Sequence, residues 1–207
     1  MGRSSNSFGR GASFLRAHAS VLIICEDTKS GKQYLNDAAV HFRVAAEVEV
    51  AHVGNTDPLG IVTQAIAREK KYNSVYCVID RDTHENFDKA VLLAKTSKKV
   101  KLIVSYPCFE FWLLLHFKYN RKTYCVTGKH SPGAQMLRAL KECDGMAEYE
   151  KGKVVSIFNS LIEKLPGARG NAERIIKEAR ADGEMNPSTL LHELLDDFED
   201  LAQPEII

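Results

Sequence analysis

Ser74-Val75-Tyr76-Cys77-Val78-Ile79-Asp80-Arg81-Asp82 is the stretch whose reading decides the fold. Val75 to Ile79 is an unbroken β-branched and aromatic run, of the length a strand buried on both faces requires. The composition then flips within one residue to Asp80-Arg81-Asp82. Carboxylates at i and i+2 just past a strand end project to the same side. They can therefore share one hard cation, because Mg²⁺ takes oxygen ligands. A polar turn, with one aspartate capping the next helix, would use the same residues. A second stretch shifts the balance toward the cation. Ser20 to Cys25 is another continuous apolar run, and it stops at Glu26.

Working outward, Lys29-Ser30-Gly31-Lys32 reads as a loop leading into a helix from Lys32 to Val44, and Glu47 to Val53 alternates like a shorter strand. Asn55-Thr56-Asp57-Pro58 is a helix start, with proline near the first turn and the helix running to about Lys70. After the Ser74 strand come a helix from about Glu85 to Ser97 and a fourth strand, Val100 to Ser105. Apolar strands alternating with helices indicate a parallel sheet covered on both faces. Ligands of such sheets gather at the carboxyl ends of the strands. Glu26, Asp80, Asp82 and the Tyr106–Glu110 segment all fall at that edge. If the first and third strands are neighbours, Glu26 and the Asp pair converge. Three carboxylates there repel one another unless a divalent cation, Mg²⁺ or Mn²⁺, offsets their charge.

After Trp112 to Phe117 the β/α rhythm stops. Ser131 to Cys143, Lys151 to Leu165, Asn171 to Ala181 and Ser188 to Leu201 read as helices. The last carries an apolar stripe of Leu190, Leu191, Leu194, Leu195, Phe198 and Leu201. That stripe is expected to pack onto the α/β part, and it would also permit a homodimer. The expected organisation is a Gly/Ser-rich basic arm over residues 1–19, an α/β domain over 20–119 and a helical portion over 120–207.

Composition bounds the function classes. Among 207 residues, 44% are hydrophobic and 27% charged, as in an ordinary globular protein. Lys+Arg 28 against Asp+Glu 27 leaves the overall charge uninformative. Its distribution is not. From Lys95 to His130 there are eight Lys/Arg and one acid, Glu110, whereas from Pro187 onward there are six acids and no Lys or Arg. Such segregation suggests a basic face for nucleic-acid phosphates, with Lys98, Lys99, Lys101, Arg121 and Lys122 as candidates. Solvated helix faces would give the same pattern. Lys29 and Ser30 are candidates for a phosphate at a helix amino end. The five cysteines lack a C-x-x-C spacing and read as reduced thiols rather than zinc ligands. No apolar run reaches membrane-spanning length and no signal peptide precedes the first strand, so the expected location is the cytoplasm.

Glu110 is a candidate catalytic group and metal ligand, or else a cap or ion-pair partner of the Phe109–Phe117 helix. On that apolar helix His116 reads as a hydrogen-bonded core histidine before a catalytic base, and Trp112 as core. His84 is near enough in sequence to assist proton transfer. Arg81 should point away from the cation and pair with a neighbour.

These residues carry a resemblance. An acid ending the first strand and D-x-D ending the third is the pattern of the Toprim fold. More narrowly the chain resembles the RloB family. The pieces are Ile23-Ile24-Cys25-Glu26 followed by Lys29, Ser30 and Tyr34; Val78-Ile79-Asp80-Arg81-Asp82; Ser105-Tyr106-Pro107-Cys108-Phe109-Glu110-Phe111-Trp112-Leu113-Leu114-Leu115-His116-Phe117; and Asn186-Pro187-Ser188-Thr189. Two positions depart from the pattern. Asp27 stands where Toprim proteins often have Gly, and Gly31 replaces an acid common in the RloB loop. The resemblance implies a Toprim-like α/β fold and a metal-dependent nuclease effector of bacterial antiphage defence, acting on RNA such as tRNA ahead of DNA. It assigns Glu26 to metal binding or acid–base work, and Asp80 and Asp82 to the metal-binding pair. It also implies an ABC-type ATPase partner. The chain has no P-loop, so ATP dependence would come from that partner.

Overall fold

Both continuous apolar runs become central strands. In the computed structural model, which describes residues 20–27, 29–50, 57–81, 84–153 and 156–202, β1 (Ser20–Cys25) lies between β2 (Ala45–Val50) and β3 (Ser74–Asp80). β4 (Val100–Tyr106) pairs with β3, and all three of these pairings are parallel. The arm over residues 1–19, the end of the expected second strand at Val53, and Asp82 lie outside the described residues.

Strand alternation sends Val21, Ile23, Cys25, Tyr76, Val78 and Ile103 to one face, and Leu22, Ile24, Val75, Cys77 and Ile79 to the other. Both sets are buried, which is why neither run contains a polar residue. The first face is covered by α1 (Ser30–His41), α4 (Glu110–Leu115) and the helices that follow. The second is covered by α2 (Pro58–Arg68) and α3 (Phe87–Ala94). The chain therefore leaves β1 toward one face and β3 toward the other, although these strands are neighbours. That divergence opens a crevice at their carboxyl ends.

Local chemistry sets the helix starts. Asp57 accepts from the Leu59 and Gly60 amides (3.1 and 3.3 Å), with Pro58 in the first turn of α2. α1 begins at Ser30, earlier than expected, because Asp27 accepts from the Lys29 and Gly31 amides (3.1 and 2.7 Å). Asp27 and Gly31 are thereby joined in one local turn.

The C-terminal part differs from expectation. The helix expected over Ser131–Cys143 is present as α5 (Pro132–Lys141), but in place of two helices over 151–165 and 171–181 the chain forms α6 (Ile157–Leu161), a 3₁₀ turn (Ile162–Lys164) and one long helix, α7 (Leu165–Asp182). Pro166 lies in the first turn of α7, where proline has no amide bond to lose. Ser188 and Thr189 are not helical either. They form β5, antiparallel to β4, and Thr189 then accepts from the Leu191 amide (3.3 Å) as α8 (Leu191–Ala202) begins. The segment after residue 119 thus adds a strand to the sheet as well as helices over it.

Leu191, Leu194, Leu195 and Phe198 of α8 are fully buried in this chain's own core, so the stripe packs onto the α/β part as expected and those residues are not a free surface for a homodimer. Lys101 of the basic segment pairs with Asp197 of the acidic one (2.6 Å), and Arg121 pairs with Asp182 (2.9 Å). Trp112 is buried in the core, as expected, and all five cysteines are free thiols. Among the described residues no helix is long and apolar enough to cross a membrane.

Candidate functional site

The Glu26 amide donates to the Val78 carbonyl (2.9 Å), extending the β1–β3 ladder one residue beyond β1. Glu26 is thereby set beside the end of β3. Its Oε2 accepts from the Asp80 amide (3.1 Å) and its Oε1 meets His84 Nε2 (3.1 Å). The next amide, Arg81, donates to the Ser105 carbonyl of β4 (2.7 Å), which fixes the direction of the chain past Asp80.

β4 runs on through a cis Tyr106–Pro107 peptide into α4, whose first residue is Glu110. Glu110 is 0% exposed. Its Oε1 accepts from Lys151 Nζ (2.9 Å) and from the Tyr149 hydroxyl (3.3 Å), while the buried Oε2 has no hydrogen-bond partner. Tyr149 also donates to Ser30 Oγ (2.9 Å), which accepts in addition from the Gly152 amide (3.1 Å). The 149–152 segment is thus stitched both to α1 and to Glu110.

The charges do not balance. Burial pushes the Asp80 carboxyl well above its ordinary range, and Glu110 and Glu26 push it further, against the opposing pull of Lys151. Burial alone would lower Lys151, but Glu110 outweighs it and holds the ammonium charged. Burial, then Glu110 and Asp80, drive the Cys108 thiol up, so it is no nucleophile. Glu26, Asp80, His84, Cys108 and Lys151 line one cleft of about 570 Å³.

The other candidates fall elsewhere. Asp82 lies outside the described residues. The α1 amino end already holds the Asp27 carboxylate and Ser30 is buried in its own bonds, so this end is not an open phosphate seat. Lys29 is exposed beside it, in a shallow groove with Lys32, Lys151 and Lys153. Lys98 and Lys99 precede β4, at the opposite rim of the sheet, about 20 Å from its carboxyl end at 3.3 Å per residue. Lys99 donates to the Tyr72 carbonyl there (2.7 Å). Lys101 is paired with Asp197, and Arg121 donates to Asp182, to the Glu184 carbonyl (2.7 Å) and to the Pro187 carbonyl (3.3 Å). Lys99, Lys101 and Arg121 thus bond to other parts of the chain, and neither they nor Lys98 line the cleft. Lys122 is exposed, in a neighbouring groove with Lys118 and Arg138.

His116 is the core histidine. Its Nδ1 lies 3.0 Å from the Trp112 carbonyl, and burial pushes it down to about 4, so it is neutral at pH 7. Lys151 and Tyr149 were missed by the sequence reading. One signal did exist, because an acid inside the apolar Phe109–Leu115 run must find a buried partner, though nothing in the sequence says which.

The donors suit a hard cation in kind: Glu26 and Asp80 are oxygen ligands, and Asp80 is strained by its like-charged neighbours. Among the described residues, no group of three or more His, Cys, Asp or Glu side chains is assembled to hold a metal ion.

Fold and crevice together define an α/β protein with an acidic site where neighbouring strands send their helices to opposite faces. A family model described as RloB-like protein matches residues 21–198, and the chain belongs to that family. The match runs through the acidic crevice and β5 alike. No curated protein and no solved structure matches the chain.

Proposed function

We propose that the protein is a metal-dependent phosphodiesterase that cleaves nucleic acid, RNA such as tRNA ahead of DNA, as an effector of antiphage defence partnered by an ABC-type ATPase. The observation that carries this reading is Asp80, held at the mouth of the crevice with its carboxyl pushed up by burial, Glu110 and Glu26. Such an arrangement is unfavourable unless a cation occupies it. Glu26 and Asp80, with Asp82, would hold Mg²⁺ or Mn²⁺, which when bound supplies charge stabilisation to the attacking and leaving oxygens of phosphoryl transfer. The chain's own groups do the rest. The Asp80 amide and His84 fix the Glu26 carboxylate (both 3.1 Å). With Nε2 turned to Glu26, His84 would take or return a proton at Nδ1. Lys151, charged and lining the cleft, offers the substrate phosphate a cation while its partner Glu110 keeps it in place.

A second reading is a non-catalytic subunit that binds nucleotide or nucleic acid under control of the ATPase. It is favoured by the engagement of both Glu26 oxygens in hydrogen bonds. A panel of total RNA and plasmid DNA with Mg²⁺ or Mn²⁺, wild type beside Asp80→Ala and Glu26→Ala, separates them. Metal-dependent cleavage that falls about a thousand-fold or more in folded variants is expected for the nuclease, since metal stabilisation contributes several kcal/mol. No cleavage, alone or with the co-purified ATPase, would leave the binding subunit.

A further inference from the structure

A second pocket, of about 420 Å³, adjoins the acidic cleft and shares Arg81 and Tyr106 with it. Its other walls are mostly apolar: Phe87 at the start of α3, Val104 of β4, Met185 and Leu190. Arg81 follows Asp80 directly, yet its guanidinium carbon lies over the Phe87 ring, 3.9 Å from the centroid. A planar cation held over an aromatic ring, both lining a pocket, offers a further π-system flat groups to stack on. Met185 is 40% exposed at the pocket's other side and supplies a soft, adaptable wall. Whatever enters this pocket is one residue away from the candidate reacting centre.

We infer that this pocket receives an unpaired nucleobase of the nucleic acid whose phosphate sits in the acidic cleft, stacked against Arg81–Phe87 and covered by Met185. The occupant is set by continuity. A phosphodiester next to Asp80 carries a base on each side, and the one cation lining the adjoining cavity, Arg81, is held over the Phe87 ring among mostly apolar walls, which suits a base better than a second phosphate. A base reaches such a pocket only when it is out of a duplex, so the preferred substrate is single-stranded at the cleavage point, as in a loop or an unpaired end. The inference rests on the nucleic-acid reading above for the class of its ligand.

The test measures binding rather than turnover. Short single-stranded oligonucleotides with an abasic position walked along them are titrated, in EDTA, against the full chain carrying Asp80→Asn. The same series is run with Phe87→Leu added, which keeps an apolar side chain and loses the ring, and separately with Met185→Glu at the exposed wall. One abasic position should weaken binding about 5- to 100-fold, the range of a lost base–aromatic stack. That penalty should vanish in the folded Phe87→Leu chain, shrink with Met185→Glu, and be absent for a duplex. An abasic scan with no sensitive position, or a penalty unchanged by both substitutions, overturns the inference. Cleavage without a sensitive position would sink the pocket and keep the nuclease. A sensitive position without cleavage under any condition would do the reverse.

Discussion

The two rims of the sheet are built on opposite principles. At the amino rim, the Ser20 amide donates to Asn73, Lys99 donates to the Tyr72 and Glu69 carbonyls, and the Lys99 amide is held by Ser97. Each of these donors meets an acceptor chosen for it. At the carboxyl rim, Glu26, Asp80 and Glu110 crowd together with one ammonium, Lys151, and one imidazole, His84. One rim is optimised for folding and the other is strained. In a single sheet of common strands, that contrast sets the carboxyl rim apart as the place where like charges are gathered at a cost in stability.

Three substitutions test the contrast. The largest effect is expected for Lys151→Ala, which strands the fully buried Glu110. A loss of about 2–3 kcal/mol in urea unfolding is expected, below the roughly 3–5 kcal/mol of a wholly buried pair because the Lys151 side chain is 41% exposed. A loss under about 0.5 kcal/mol, typical of a surface change, would mean that the pair carries little of the strain.

Asp80→Asn should move stability the other way. Removing one like charge is expected to raise the Tm of the metal-free protein, by roughly 2–4 °C per kcal/mol of repulsion relieved. The sign with pH follows from the raised Asp80 carboxyl: the folded state holds that proton where the unfolded chain has lost it. The wild type is therefore penalised above the ordinary carboxylate range and relieved as pH falls, so the gap between variant and wild type should close toward acid. His116 runs oppositely, since its folded value near 4 lies below the ordinary 6.5 and its contribution is lost as pH falls through that window. Because His116 is common to both proteins, the difference curve isolates Asp80. Added Mg²⁺ should raise the Tm of the wild type and leave Asp80→Asn almost unmoved. A variant less stable than wild type without metal would erase the distinction between the rims.

The smallest effect is expected at the amino rim. Lys99→Met should change stability by no more than about 1 kcal/mol, the contribution of an ordinary exposed hydrogen bond, and should leave nucleic-acid affinity and its salt dependence where they were. A shallower salt slope would restore Lys99 to the binding surface.

What was legible in the sequence follows the same division. β1 and β3 could be read because a strand buried on both faces tolerates no polar residue, and Glu26 and Asp80 because each ends such a run. The lysines could not be placed, since a charge in a sequence does not reveal which rim it reaches. In the fold Lys99 bonds to the Tyr72 carbonyl and Lys101 to Asp197. The Glu110–Lys151 pair spans a separation that no periodicity covers. β5 is two residues long, too short for any alternation to announce it. The start of α7 at Leu165 was not read, although proline at the second position is a common way for a helix to begin.

β5 has a consequence for how such a protein can be inherited. Thr189 Oγ1 lies 2.9 Å from Ser105 Oγ, the Leu190 amide donates to the Val104 carbonyl (3.0 Å), and the Asn186 side chain clasps both backbone groups of Tyr124 in the cleft wall (3.1 and 2.7 Å). The last quarter of the chain thus closes the edge of the strand that leads to Glu110 and braces the wall opposite the acids. A unit built this way is not a cassette. The half that carries the acids leans on residues 186–190, so moving that half alone into another gene would leave the β4 edge and the Tyr124 wall without these partners.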